Sequence, residues 1–360
     1  MHTEHVYIIA EAGVNHNGRL DLALALVDAA ADAGADAVKF QTFKAEKLAS
    51  SSAPKAGYQK ANTETTETQV EMLKKLELPR EWHVELHAHA KSRGIQFLST
   101  AFDTGSLDFL TTMDLPLYKI PSGELTNGPL LWRFARTGKP LILSTGMATL
   151  AEVEGALAIV AHGLIHPEEP SSVEEIWKNW SKPESRQALA GRISLLHCTS
   201  QYPTPPEEVN LRAMDTLATS FGLPVGYSDH TEGWLIPVAA VARGARIIEK
   251  HFTLDRTLPG PDHKASLEPT ELKQMIANIR ALELAMGSGN KVPQPGEWDT
   301  RRAARQQVIA ARDISAGAII AREDLATARC GHGIEANQLW DLIGTRARRD
   351  LSAGEAFTRE

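Results

Sequence analysis

Between residue 5 and about residue 285 the chain repeats one theme: a short apolar run, a polar loop, then a stretch with apolar residues at helical spacing. The apolar runs predict strands at Val6–Ala10, Ala37–Phe40, Gln96–Ser99, Leu117–Ile120, Leu141–Ser144, Ser194–His197, Val225–Tyr227 and Arg246–Glu249. The helical spacing predicts helices that include Asp21–Ala33, Arg80–Arg93, Gly128–Arg136, Leu150–Val160, Leu211–Ser220, Trp234–Arg243 and Glu271–Met286. Strand, helix, strand units of this length make neighbouring strands parallel. Eight such units predict a (β/α)8 TIM barrel over residues 1–285, since that fold usually takes about 250 residues. The alternative, an open doubly wound sheet, lacks support because no Gly-rich dinucleotide fingerprint follows the first strand. His83, His87 and His89 fall among charged residues of an outer helix and are expected to be solvated surface.

Two segments break the repeat. Residues 163–190 read as an insertion before the sixth strand, too polar and proline-rich for a core element. Residues 286–300 read as an extended linker. Beyond it, residues 301–360 predict a small β-rich module, in which Ile314-Ser315-Ala316-Gly317 is echoed by Leu351-Ser352-Ala353-Gly354; so small a fold is expected to need a docking surface.

Composition narrows the class. A hydrophobic content of 42% over 360 residues suffices for one large core and a small second domain. No apolar run approaches the ~20 residues of a membrane span, and Met1-His2-Thr3-Glu4 leads into a strand without signal-peptide features. Two cysteines, Cys198 and Cys330, make no disulfide framework, so a reducing cytoplasm is the expected compartment. A net charge of −7 argues against nucleic acid as a partner.

In a barrel of this kind the active site lies at the carboxyl ends of the strands, so those ends carry the argument. They present Glu11; Lys39 and Gln41; Ser99 and Thr100; Lys119, Ser122 and Glu124; Ser144; His197 to Tyr202; Ser228 and His230; and Lys250 and His251. A lone strand-end Ser or Thr is usually a helix cap, and a lone lysine can end a strand in solvent. Together, Lys39, Lys119, Thr100, Ser122 and Ser228 form a cradle for a phosphate and a carboxylate. A lone histidine is ordinarily a hydrogen-bonded core residue, but His230 and His251 end adjacent parallel strands. Two imidazoles without a thiolate describe an open metal site completed by water or substrate, suited to Mn²⁺, Mg²⁺ or Co²⁺ rather than structural zinc. Cys198 adjoins His197, but strand neighbours point to opposite faces, so core packing is its expected role.

The strand-end motifs resemble those of the bacterial sialic acid synthases. The matching runs are Glu-Ala-Gly-Val-Asn-His-Asn-Gly (11–18), Val-Lys-Phe-Gln-Thr-Phe (38–43), Ser-Thr-Ala-Phe-Asp (99–103), Lys-Ile-Pro-Ser-Gly-Glu (119–124) and Leu-Ser-Thr-Gly-Met (143–147). The match continues through His-Cys-Thr-Ser-Gln-Tyr-Pro-Thr-Pro (197–205), Gly-Tyr-Ser-Asp-His-Thr (226–231), Glu-Lys-His-Phe-Thr (249–253) and Pro-Gly-Pro-Asp-His (259–263). The C-terminal module resembles the antifreeze-like (SAF) domain of the same enzymes. The resemblance implies condensation of phosphoenolpyruvate with an N-acetylmannosamine-type sugar, releasing phosphate and yielding a nonulosonic acid, N-acetylneuraminate or N,N'-diacetyllegionaminate. It implies that His230 and His251 ligate the divalent cation and that Lys39, Thr100, Lys119, Ser122, Ser200 and Ser228 hold phosphoenolpyruvate. Gln41, Glu124, Tyr202 and Asp262 would line the sugar pocket, with Glu11 in acid–base chemistry on the attacking water. Arg329 matches an arginine that reaches into a partner subunit's barrel, which implies a domain-swapped homodimer. The chain departs from the family pattern at Ser200, where asparagine is common, at Cys330, where proline commonly follows the arginine, and at 301–305, which hold no aromatic residue. Two other readings stand beside the synthase. A Schiff-base aldolase would use Lys119 or Lys250 on pyruvate, and a non-catalytic protein would bind sugar without turning it over.

Overall fold

The computed structural model describes residues 5–50, 52–63 and 67–359; Met1–Glu4, on which the signal-peptide reading rested, lie outside them. Eight strands form one parallel sheet: β1 (Tyr7–Gly13), β2 (Ala37–Thr42), β3 (Gln96–Ala101), β4 (Tyr118–Ile120), β5 (Leu141–Ser144), β6 (Ile193–His197), β7 (Val225–Asp229) and β8 (Ile247–His251). Their order is β3-β2-β1-β8-β7-β6-β5-β4, and β3 lies against β4 without ladder hydrogen bonds, so the sheet curls into the predicted barrel. The side-chain period of two sorts each strand into two environments. Tyr7, Ile9, Ala37, Leu98, Leu117, Ile142, Leu196 and Ile247 pack together inside the barrel. Their alternates, such as Ile8, Ala10, Val38, Phe40, Phe97 and Leu143, pack outward in the larger core that includes the helices.

The helices of this unit are α1 (Leu20–Ala33), α2 (Ala45–Leu48), α3 (Gly57–Asn62), α4 (Gln69–Lys75), α5 (Arg80–Ser92), α6 (Thr104–Thr111), α7 (Gly128–Arg136), α8 (Leu150–Ile165), α9 (Val173–Trp180), α10 (Pro183–Leu189), α11 (Ala213–Phe221), α12 (Leu235–Ala242) and α13 (Pro269–Met286). Three segments differ from what the sequence predicts. His83 is not solvated: α5 turns His83, Leu86 and Ala90 inward, the i, i+3, i+7 stripe, and leaves Val84 outside. The His83 ring donates from Nδ1 to the Pro79 carbonyl (2.9 Å) and meets Thr42 Oγ1 through Nε2 (2.6 Å). His87 leans on Phe97, and His89 pairs with Asp28. Secondly, segment 163–190 is not excluded from the core, because Ile176 and Trp180 of α9 and Leu189 of α10 join it. Trp180 Nε1 donates to Glu154 (2.8 Å), and Pro183 sits in the first turn of α10, where its missing N–H costs nothing. Thirdly, the segment expected as a linker to residue 300 becomes helical at Trp298, the start of α14 (Trp298–Ala304). Trp298 is exposed, and Arg301 lies over its ring at 5.4 Å.

The chain divides into compact units at Met1–Gly287 and Ser288–Glu360. The second pairs β9 (Gln307–Ala310) antiparallel with β10 (Leu325–Ala328). It encloses its own small core, which includes Val308, Ile314, Ile320, Leu325, Leu351 and Phe357. The two echoed turns meet there: Ile314 and Leu351 exchange both backbone hydrogen bonds at 2.8 Å, and Gly317 and Gly354 supply the positive φ that each turn requires. Among the described residues, no helix is long and apolar enough to cross a membrane.

Candidate active site

The floor of the barrel decides what stands above it. Two residues beyond each inward apolar position, the same face presents a polar group. Ile9 leads to Glu11, Ala37 to Lys39 and Gln41, Leu98 to Thr100, Leu117 to Lys119, Ile142 to Ser144, Leu196 to Cys198, and Ile247 to Glu249 and His251. On β7 the series is Ser228 and then His230. Register then makes neighbours of Glu11 with Lys39 and His251, and of Ser228 with Glu249. All of these side chains, with Ser122, Ser200, Tyr202 and Asp262, line one cavity of about 440 Å³.

Inside it the charges are buried and paired. Lys39 Nζ lies 2.5 Å from Glu11 and 3.6 Å from Glu249, and donates to Thr100 Oγ1 at 3.2 Å. Lys119 Nζ lies 3.1 Å from Glu249, which also accepts from Ser228 Oγ at 2.9 Å. Burial alone would neutralise these groups. For Lys39 it is outweighed by Glu11 and Glu249, which hold the ammonium above its usual range. For Glu249 it is outweighed by Lys119 and Lys39, which hold the carboxylate well below its usual range. Glu11 goes the other way: burial raises it more than Lys39 lowers it, with Glu249 adding repulsion. Asp262 is pushed up to about 7, by burial first and then by Glu11. Among the described residues Ser144 Oγ is buried without a hydrogen-bond partner.

His230 and His251 stand with ring centroids 5.4 Å apart, and the Tyr202 ring lies 4.1 Å from that of His230, tilted by 35°. The Thr199 carbonyl can only accept, so His230 donates to it from Nδ1 (2.6 Å) and keeps its Nε2 lone pair. Among the described residues His251 Nδ1 is buried without a partner. Burial lowers His230 to about 4, and burial together with His230 holds His251 well below the usual imidazole range, so both rings are neutral. Neutral imidazoles are the metal-binding form, and an orphaned ring nitrogen beside a second lone pair fits a divalent cation. Among the described residues no group of three or more protein ligands gathers, which leaves positions for water or substrate.

Not every expected residue is here. Glu124 does not line the cavity; its carboxylate accepts from Asn127 Nδ2 (2.7 Å) at the start of α7. Arg329 belongs to the second unit, exposed on a loop whose Cys330 and Gly331 N–H groups donate to Gln307 Oε1. Lys250 points out of the barrel, fully buried, and donates to Asp229 and to the Thr231 carbonyl, both at 2.5 Å, so it is no Schiff-base lysine of this cavity. Cys198 lines the cavity 3.1 Å from Ser122 Oγ, and burial raises its thiol, which suits packing rather than attack. Sequence reasoning missed Glu249 and left Ser144 at its strand end without a role, although counting two onward from Ile247 and Ile142 places both in the cavity.

Comparison with known proteins agrees with this geometry. The model of the NeuB family matches residues 26–291, and that of the SAF domain matches residues 305–360. The chain is 48% identical to the N,N'-diacetyllegionaminic acid synthase of Legionella pneumophila, covering 98% of this chain and 94% of that one. It is 47% identical to the enzyme of the same name from Campylobacter jejuni, covering 97% of each. Among solved structures, the N-acetylneuraminic acid synthetase of Leptospira borgpetersenii superposes with a TM-score of 0.66 at 34% identity, covering 82% of this chain and 90% of that one. Barrel, cavity chemistry and near-complete coverage lead to one conclusion: this chain belongs to the NeuB family and ends in a SAF domain.

Proposed function

We propose that the chain condenses phosphoenolpyruvate with an N-acetylated mannosamine-type sugar in a metal-dependent reaction, releasing phosphate and forming N,N'-diacetyllegionaminate or a close nonulosonic acid. One observation carries this reading: a single cavity holds two lysines and the hydroxyls of Thr100, Ser122, Ser144 and Ser228 beside a pair of neutral imidazoles. Phosphoenolpyruvate brings the phosphate and carboxylate that such a cradle matches. The names of the Legionella and Campylobacter relatives support the product.

His230 and His251 would hold the cation, Mn²⁺ or Mg²⁺, which when bound supplies Lewis-acid polarisation of the open-chain sugar's aldehyde. The chain's own groups do the rest. Lys39, Lys119 and the hydroxyls fix phosphoenolpyruvate so that its C3 faces the aldehyde carbon. The C–C bond forms there, cationic character develops at C2, and the sugar oxygen takes a proton. Asp262, held near 7, is a cavity group able to give it. Water adds to C2 as Glu11 accepts its proton, which the raised carboxyl favours. The C2–O bond to phosphate then breaks, the C2 hydroxyl proton leaves with the phosphate, and a ketone remains. Arg329 would complete the sugar pocket of a partner subunit.

The test is phosphate release from phosphoenolpyruvate and sugar. Activity should vanish with a chelator, return with Mn²⁺ or Mg²⁺, and be lost in His230→Ala. Full turnover by His230→Ala would end the metal assignment.

A further inference from the structure

Behind the cavity, on the outward face of the same two strands, lies a buried ion pair that the proposed chemistry does not use. Tyr227 and Asp229 of β7 and Ile248 and Lys250 of β8 alternate with the cavity residues Ser228, His230, Glu249 and His251, so they face the helices. Asp229 and Lys250 are both fully buried, and Lys250 Nζ donates to Asp229 Oδ2 at 2.5 Å. Asp229 gathers three further donors. Its Oδ1 accepts from the Tyr227 hydroxyl at 2.9 Å and the Thr231 N–H at 3.1 Å, and its Oδ2 from the Thr231 hydroxyl at 3.0 Å. Lys250 also donates to the Thr231 carbonyl at 2.5 Å. This clasp grips the residues on both sides of His230, and it does so from the residue that precedes His251.

The ladder between the strands stops at the clasp. Asp229 and Lys250 are the last paired residues of β7 and β8, so His230 stands one residue beyond the strand pairing. His251 is still in register with Glu11 on β1, and its carbonyl accepts from the Leu267 N–H at 2.9 Å. His230 is tied on its other side to the loop after β6, through the Thr199 carbonyl and the Thr204 N–H. Beyond the end of the ladder, the Lys250 ammonium joins the two anchored segments. A buried ion pair is a poor source of stability, because apolar side chains of similar volume often serve as well or better. Directional hydrogen bonds supply what apolar packing does not, a fixed spacing.

We infer that Asp229 and Lys250 are positioning residues for the metal pair: their clasp holds His230 and His251 in the mutual arrangement, 5.4 Å between ring centroids, that a divalent cation finds ready-made. Neither side chain lines the cavity, so both act through the backbone of the histidines. Ligands that must first be gathered bind more weakly by the fraction of time they spend apart. The inference rests on the metal reading proposed above.

The experiment titrates Mn²⁺ into the protein without substrates and follows the paramagnetic resonance of the free ion. Asp229→Asn with Lys250→Met removes both charges at similar volume. It should weaken Mn²⁺ binding by about ten-fold or more, the low end of what groups behind metal ligands carry. The midpoint of the titration reports affinity and its end point the folded fraction, so partial unfolding does not imitate the loss. A pair with a merely structural role would change the folded fraction alone, and parental affinity in the double variant overturns the inference while the metal reading stands. Should the double variant not fold, Thr231→Val decides, since it removes only the hydroxyl tie to Asp229. About three-fold weaker Mn²⁺ binding is then expected, and parental affinity overturns the inference. Failure of the parent protein to bind Mn²⁺ overturns the metal reading, and the inference with it.

Discussion

Glu249 is the residue around which the cavity's charges are arranged, since both lysines and Ser228 converge on it. Removing one partner of a buried ionic set strands the others, at a cost of about 3–5 kcal/mol. Glu249→Gln should therefore lower stability by about that amount in denaturant titration, and inorganic phosphate should restore more of it than it adds to the unaltered protein. Asp262 acts in the opposite sense. Its folded pKa, about 7, lies above the ordinary 3.8, so the folded protein keeps a proton that the unfolded chain has lost. Stability contributed by the protonated form is whole below 3.8 and drains away as pH rises through about 7. Asp262→Asn should thus gain on the parent progressively across that window, reaching at most about 4 kcal/mol, as thermal melts from pH 4 to pH 8 would show. Both residues expose what was legible and why. The histidines, lysines and Glu11 stand out because polar groups at strand tips are conspicuous. Glu249 was passed over because it lies inside the apolar run, and only the period of two separates its face from that of Ile248.

At the scale of elements, the strands announced themselves as apolar runs, and their ends moved by only a few residues; β1, for instance, runs on to Gly13. The excursion over residues 43–79 did not, because helices of four to seven residues are too short to display a period. It is held by contacts remote in sequence. Val14 and Phe43 pack with Met72 and Leu76, and a Cβ on Gly18 would come within 2.7 Å of the Lys75 carbonyl at the end of α4. Gly18 also has φ +66°, so an alanine there is strained as well as crowded. Gly18→Ala should push α4 outward and raise the KM for sugar more than that for phosphoenolpyruvate, because α4 carries Gln69, Met72 and Leu73. Gly226 tests the barrel instead. A Cβ there would overlap the Ile247 carbonyl and come within 2.7 Å of Leu196, so Gly226→Ala should destabilise by about 1–3 kcal/mol.

For the whole molecule, the break in the repeat falls near the division into two units, whereas the second unit's hydrophobic core could not be read from its short runs. That core closes around Val308, Leu325 and Phe357, with the two echoed turns bonded to each other. A unit with a core of its own can present a functional side chain, and Arg329 stands exposed on a loop held by Gln307. If that arginine serves a partner subunit, its defect and a barrel defect should complement one another. Arg329→Ala and Glu11→Gln should each be nearly inactive alone. After the two are mixed in equal amounts and allowed to exchange subunits, half of the dimers carry one of each, and one site per mixed dimer joins an intact barrel to an intact arginine. Phosphate release should recover to about one quarter of the parent rate, while each variant exchanged with itself stays silent. An arginine that served its own barrel would leave every site in the mixture with one defect, and no activity would return.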